Sequence, residues 1–155
     1  MALDNIDRRI LQELQHDASL STSDLADRVG LSTTPCWRRV RQLETSGYIK
    51  KRVALLDRAR LGVATTVFVA VKTRSHAADW LDKFARAVSD MPEVVEFHRM
   101  SGDIDYLMKV VVPDIPAYDA FYKRLISKID LSDVSSSFAM EEIKTTTALP
   151  LDYLD

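Results

Sequence analysis

The sequence predicts an α+β chain in two parts: three short helices in roughly the first fifty residues, then a strand, helix, strand, strand, helix, strand series. Three observations carry this. Apolar residues recur at helical spacing around two glycines, Gly30 and Gly47. Beyond Leu56, β-branched runs alternate with amphipathic segments. The charge changes sign between the parts: residues 1–60 hold 11 Lys+Arg against 8 Asp+Glu, net +3, and residues 61–155 hold 10 against 15, net −5. A local excess of cations attached to an acidic remainder is the footprint of a nucleic-acid module joined to a second domain.

The first helix is predicted from DNIDRRILQELQHD, with Asp4 as N-cap and Ile6, Ile10, Leu11 and Leu14 on one face. Ser21, followed three residues later by Asp24, starts a second helix with Leu25, Ala26 and Val29 inward, stopped by Gly30. Ser32, Thr33 and Thr34 offer capping hydroxyls and Pro35 suits a first turn. Cys36, Val40 and Leu43 then recur on one face before Gly47. Two helices joined by a tight glycine turn and covered by a third form a helix-turn-helix. At about 100° per residue, Thr34, Arg38, Arg41, Gln42 and Thr45 fall opposite the apolar stripe. Guanidinium groups suit guanine edges, amides suit adenine edges, and hydroxyls suit phosphates, which is the chemistry of a major-groove recognition helix. Ser32, Thr33, Thr34, Arg38, Arg39, Arg41, Gln42, Lys50, Lys51 and Arg52 are the DNA-binding candidates: between positions 38 and 52 the six cations oppose only Glu44, and the last three are expected on flanking phosphates. Trp37, on the flank of the stripe, and Cys36, within it, are expected to pack.

LDRARLG is a connection ending at Gly62, and VATTVFVAVKT a strand. HAADWLDKFARAVSDM places Ala77, Leu81, Phe84, Ala85 and Val88 on one helical face, ending at Pro92. EVVEFHRMSG and DYLMKVVV are two strands joined through SGDID. Tyr118, Phe121, Tyr122, Leu125 and Ile129 mark the second helix, and DVSSSFAMEEIKTTT closes as an extended segment. This order is a ferredoxin-like βαββαβ sandwich with both helices on one sheet face. The other face, rich in Val and Phe, predicts a homodimer paired sheet to sheet.

Other classes fall away. No run of about 18 apolar residues offers a membrane span. The opening MALDNIDRR lacks a basic stretch followed by an apolar core, so a cytoplasmic location is expected. One cysteine forms no internal disulfide, and no metal-ligand spacing is present, so no metal and no cofactor are expected. His16, His76 and His98 are scattered and no nucleophile or phosphate-loop motif occurs, so no catalytic residues are assigned.

LDNIDRRILQELQHDASLSTSDLADRVGLSTTPCWRRVRQLETSGYI, MSGDIDYLMKVVV and IKTTTALPL together resemble the Lrp/AsnC family of bacterial and archaeal transcriptional regulators over nearly the whole chain. The resemblance implies a winged helix-turn-helix (1–50), a linking strand or hinge (51–62) and an αβ-sandwich effector-binding and oligomerisation domain (63–155). It implies double-stranded DNA as partner, dimers assembling to octamers, and an amino-acid effector bound at contacts between dimers. Carried onto this sequence, the effector residues are Ser101, Gly102, Asp103, Asp105 and Tyr106, with Thr145, Thr146 and Thr147 as weaker candidates. Gly102 gives a carboxylate close access to backbone N–H groups, and Asp103 or Asp105 would pair with an ammonium. Without the resemblance the same residues read as a polar hairpin turn. TTPCWRRV, FHRM and SSSFAMEEIKTTTALPL resemble a proteobacterial subgroup associated with cysteine breakdown, so cysteine is the first effector expected. The expected function is a sequence-specific DNA-binding regulator of amino-acid metabolism. The alternative is an architectural protein that wraps DNA with little sequence preference.

Overall fold

The computed structural model describes residues 3–73 and 78–153. The chain forms two compact units, one running to Leu55 and taking the chain back from Lys144, the other spanning Leu56–Ile143.

The first unit is built on α1 (Asn5–His16), α2 (Thr22–Val29) and α3 (Thr33–Thr45). Asp4 caps α1 by accepting from the N–H groups of Ile6 and Asp7 at 2.9 and 2.8 Å, and Asp7 returns the bond to the Asp4 N–H at 3.2 Å. The orphan donors of the first turn are thereby satisfied. Ser21 Oγ accepts from the Asp24 N–H at 3.1 Å and starts α2. Gly30, at φ 73°, ends it in the left-handed conformation. Ile10, Leu14, Leu25, Ala26, Val29, Cys36, Val40 and Leu43 form one buried cluster, the set the helical spacing predicts except for Ile6 and Leu11, which pack against it only partly buried. Nothing stands within 4 Å of a Cβ built on Gly30, so its requirement is purely one of backbone conformation. Gly30→Ala is therefore expected to cost about 1–2 kcal/mol, the left-handed penalty, read as a lowered urea midpoint.

Two expectations are corrected here. The linking strand expected over 51–62 is not a strand: 50–57 is unpaired chain and 58–62 a turn, in which Asp57 Oδ1 accepts from the N–H groups of Ala59 and Arg60. A strand needs a neighbour to complete its ladder, and no described segment of this chain forms a ladder with 50–57. The C-terminal boundary also moves. From Lys144 the chain belongs to the first unit, where Gln15 exchanges two hydrogen bonds with the backbone of Leu149 at 3.0 and 2.9 Å. An amide side chain can pair with a backbone amide as a strand would, and this pairing ties the segment to α1.

The second unit contains β1 (Thr65–Lys72), α4 (Ala78–Ser89), β2 (Val94–Arg99), β3 (Tyr106–Val112), α5 (Ile115–Lys128) and β4 (Asp133–Phe138). The sheet order β2-β3-β1-β4, with all neighbours antiparallel, is the ferredoxin-like arrangement expected. His76 and Ala77, expected at the start of the first helix of this part, lie outside the described residues. Period-two alternation decides the faces: Val67, Val69 and Val71 of β1 and Tyr106, Met108, Val110 and Val112 of β3 join Phe84, Val88, Phe121 and Leu125 of the helices in one core. On the opposite face Phe68 and Ala70 of β1 alternate with Leu107 and Val111 of β3, none of them fully buried. Of the segment 133–147 expected to be extended, only Asp133–Phe138 is a strand.

Candidate nucleic-acid interface and effector loop

α3 sorts its side chains sharply. Cys36 and Leu43 are fully buried, and burial pushes the Cys36 thiol up, which suits an inert core residue. Thr33, Thr34, Arg38, Arg41, Gln42 and Thr45 are exposed. Ser32 sits at the N-cap but makes no side-chain capping bond, leaving its hydroxyl and the first N–H groups of the helix to face an incoming anion. Arg38 makes no ion pair among the described residues. Arg41 donates to Glu44 Oε2 at 3.1 Å and Arg52 to Glu44 Oε1 at 3.2 Å, all at the surface. Lys50 and Lys51 are exposed beyond the helix.

Two side chains depart from expectation. Trp37, expected to pack, is 52% exposed. It lies about 100° round the helix from Cys36, at the edge of the buried face. Arg39 turns the other way: its Nη1 donates to Asp4 Oδ2 at 2.6 Å and to Asp7 Oδ1 at 2.8 Å. These two carboxylates raise the pKa of the guanidinium.

The effector candidates lie in the β2–β3 connection. Its ends close through the Met100 N–H, which donates to the Asp105 carbonyl at 2.8 Å, and the Asp105 N–H, which donates to the Val71 carbonyl at 3.0 Å. Asp105 is already engaged, accepting from the Thr73 N–H at 2.8 Å. Its carboxylate therefore anchors the loop to the end of β1. Gly102 holds φ 120°, a conformation that L side chains rarely adopt, and Ser101 and Asp103 beside it are exposed. Lys72 Nζ donates to Asp103 Oδ2 at 2.9 Å, and this bond with the carboxylate's charge raises the lysine pKa. Lys72 was not singled out from the sequence, because its closeness to Asp103 depends on β1 pairing with β3. Tyr106 is buried, its ring against Trp80, Phe84 and Phe97 at centroid distances of 5.7, 5.3 and 5.7 Å. The ring belongs to the core of the second unit, at the point where β3 follows the loop. Thr145, Thr146 and Thr147 are exposed and belong to the first unit, so a single chain does not assemble them with Ser101–Tyr106 in one unit. Thr147 and Leu149 instead line a groove of about 1030 Å³ beside α1.

Among the described residues no three His, Cys, Asp or Glu side chains are grouped to hold a metal ion, and no helix is long and apolar enough to cross a membrane.

Comparison with known proteins agrees with the two-part fold. Residues 3–50 match the family model for winged helix-turn-helix DNA-binding, and residues 66–149 match that for the Lrp/AsnC ligand binding domain. The chain belongs to the Lrp/AsnC family. Among its relatives, the DNA-binding transcriptional activator DecR of Escherichia coli K12 is 51% identical over 97% of this chain and 99% of its own. The glutamate uptake regulatory protein of Zymomonas mobilis is 50% identical over 96% of this chain and 91% of its own. An AsnC family transcriptional regulator from Agrobacterium tumefaciens superposes with a TM-score of 0.96 at 60% identity, covering 98% of this chain and 99% of that one. The regulator NMB0573 from Neisseria meningitidis, solved as a complex with L-Met, superposes at 0.94 with 38% identity over 99% of both chains. This Lrp/AsnC chain is accordingly a DNA-binding transcriptional regulator and not an enzyme.

Proposed function

We propose that this regulator acts on genes of amino-acid metabolism, reading a specific DNA site with α3 and changing its DNA affinity or assembly when an amino acid binds. The observation that supports the DNA half most directly is the exposed face of α3, where Thr34, Arg38, Arg41 and Gln42 stand together opposite a closed core. Ser32, Thr33, Lys50, Lys51 and Arg52 are assigned to flanking phosphates. A regulator works where its DNA is, so we place it in the cytoplasm.

The effector half is supported by the loop at Gly102 and by the L-Met complex of the Neisseria meningitidis relative. A free amino acid carries an ammonium and a carboxylate. Lys72 and Asp103 present the opposite pair at 2.9 Å, and both are exposed enough to part around a ligand. Ser101, Asp105 and Tyr106 shape the loop, and Thr145–Thr147 join only if oligomerisation supplies them. Cysteine is the first amino acid to try. The sheet face carrying Phe68, Ala70, Leu107 and Val111 is assigned to a homodimer, with octamers as the larger assembly.

The test is thermal unfolding of the purified protein against each common amino acid at millimolar concentration. A ligand at about 100 times its dissociation constant adds roughly 2.7 kcal/mol of apparent stability. One amino acid is expected to raise the midpoint, and Asp103→Ala to abolish the rise. If no amino acid moves the midpoint, or if Asp103→Ala responds like the parent, the effector assignment fails while the DNA-binding assignment stands.

A further inference from the structure

The run Arg38-Arg39-Val40-Arg41 looks like a uniform basic strip, but the structure divides it. Arg39 lies on the flank of α3 that faces α1. There all four carboxylate oxygens of Asp4 and Asp7 are in use: Asp4 Oδ1 accepts from the N–H groups of Ile6 and Asp7, and Asp7 Oδ2 from the Asp4 N–H. Asp4 Oδ2 and Asp7 Oδ1 both accept from Arg39. Asp7 retains only 9% of its side-chain exposure and Arg39 31%. A phosphate that drew Arg39 away would strand the Asp7 carboxylate in the core of the unit without its cation, which is strongly unfavourable. The N-cap of α1 and the middle of α3 are thereby fastened at one point.

We propose that Arg39 is a positioning residue for DNA recognition: held by Asp4 and Asp7, it sets the seating of α3 against α1 and donates nothing to DNA. This rests on α3 being the helix that meets DNA. It assigns the two aspartates of the first turn a part in DNA binding although they are acidic. The two views of Arg39 differ in the sign of one effect. If Arg39 were a phosphate contact, Asp7→Asn would free a cation and remove an anion, so DNA binding would tighten. If Arg39 positions α3, the same change loosens the fastening and binding weakens.

The experiment is fluorescence anisotropy of the full-length protein with a fluorescein-labelled random-sequence duplex, titrated over a range of salt concentrations. Lys51→Ala, at a phosphate contact assigned just beyond α3, is expected to reduce the slope of log affinity against log salt by about one phosphate's worth. Arg39→Gln and Asp7→Asn are both expected to weaken binding by about two- to thirtyfold with the slope unchanged, the range for coupling through a contact that touches no ligand. Asp7→Asn keeps the shape of the side chain, so it serves even if Arg39→Gln fails to fold. Binding by Asp7→Asn as tight as the parent's, or tighter, overturns the proposal, as does a slope lowered by about one in Arg39→Gln. An unchanged slope for Lys51→Ala removes α3 and the basic segment that follows it from the DNA interface and the proposal with it, a failure distinguishable from the other two.

Discussion

Phe84→Ala is expected to cost the second unit about 3–5 kcal/mol, the range for deleting a large aromatic side chain from a closed core. Phe84 is fully buried on α4, and its ring stands 5.1 Å from Trp80, 4.9 Å from Phe97 and 5.3 Å from Tyr106, the last two nearly edge-on. Such aromatic contacts add to the burial itself, so the cavity would also loosen three neighbours. With total stabilities of roughly 5–15 kcal/mol for single domains, this is a large fraction of what holds the unit together. The chain has two tryptophans, Trp37 and Trp80, so in a Trp37→Phe background the urea transition of this unit can be followed by Trp80 fluorescence alone. A loss below about 1 kcal/mol would mean that the cluster collapses around the gap and that Phe84 is not its keystone. Tyr106→Phe, which removes only a hydroxyl, should move the transition far less. Because Tyr106 begins β3 directly after the Ser101–Asp105 loop, the Phe84 cavity should also erase any effector-induced rise in the midpoint.

Arg38→Ala and Arg41→Ala are each expected to weaken binding to the preferred DNA site by about 1–3 kcal/mol if the guanidinium reads a base edge. Among the described residues Arg38 has no ion pair to give up, whereas Arg41 must leave Glu44. An exposed pair of that kind is worth at most about 1 kcal/mol, so it trims the contribution of Arg41 without cancelling it. Binding is measured by gel-shift titration with a site selected from a random library, and again with random competitor. A base-reading arginine loses affinity on the selected site and little on random DNA; a phosphate contact loses both equally. Unchanged binding by both variants would remove α3 from the recognition role. The same titration separates a regulator from an architectural wrapper, because a specific binder prefers its site by roughly a thousandfold or more.

How far the sequence carries can be followed on α3. Cys36, Val40 and Leu43 at i, i+4 and i+7 can share a face only on a helix, and they are the buried residues of that helix. The glycine after Val29 and the caps at Asp4 and Ser21 are equally local, since each satisfies orphan backbone groups within one turn. For the same reason Arg38 and Arg41 could be placed outward from spacing alone. Arg39 and Trp37 could not. Both lie at the edge of the stripe, where helical geometry allows either direction, and the choice depends on whether another element brings a carboxylate or an apolar surface to that edge.

The effector loop divides in the same way. SGDID between two strand patterns identifies a turn, and Gly102 at φ 120° fits it. That Asp105 is spent on the Thr73 N–H, that Lys72 faces Asp103, and that Tyr106 is buried in the core depend on β3 pairing with β1 across more than thirty intervening residues. The strand expected over 51–62 is missing for a related reason: residues there have the composition to extend, but a ladder needs a neighbour. Periodicity, caps and turns therefore determined which segments are helices and strands and which faces turn inward, because those preferences are settled within a few residues. Which charged side chain meets which partner was decided only by the tertiary structure. An ion pair is formed by groups distant in the chain, and nothing in either residue's own neighbourhood records the other's position.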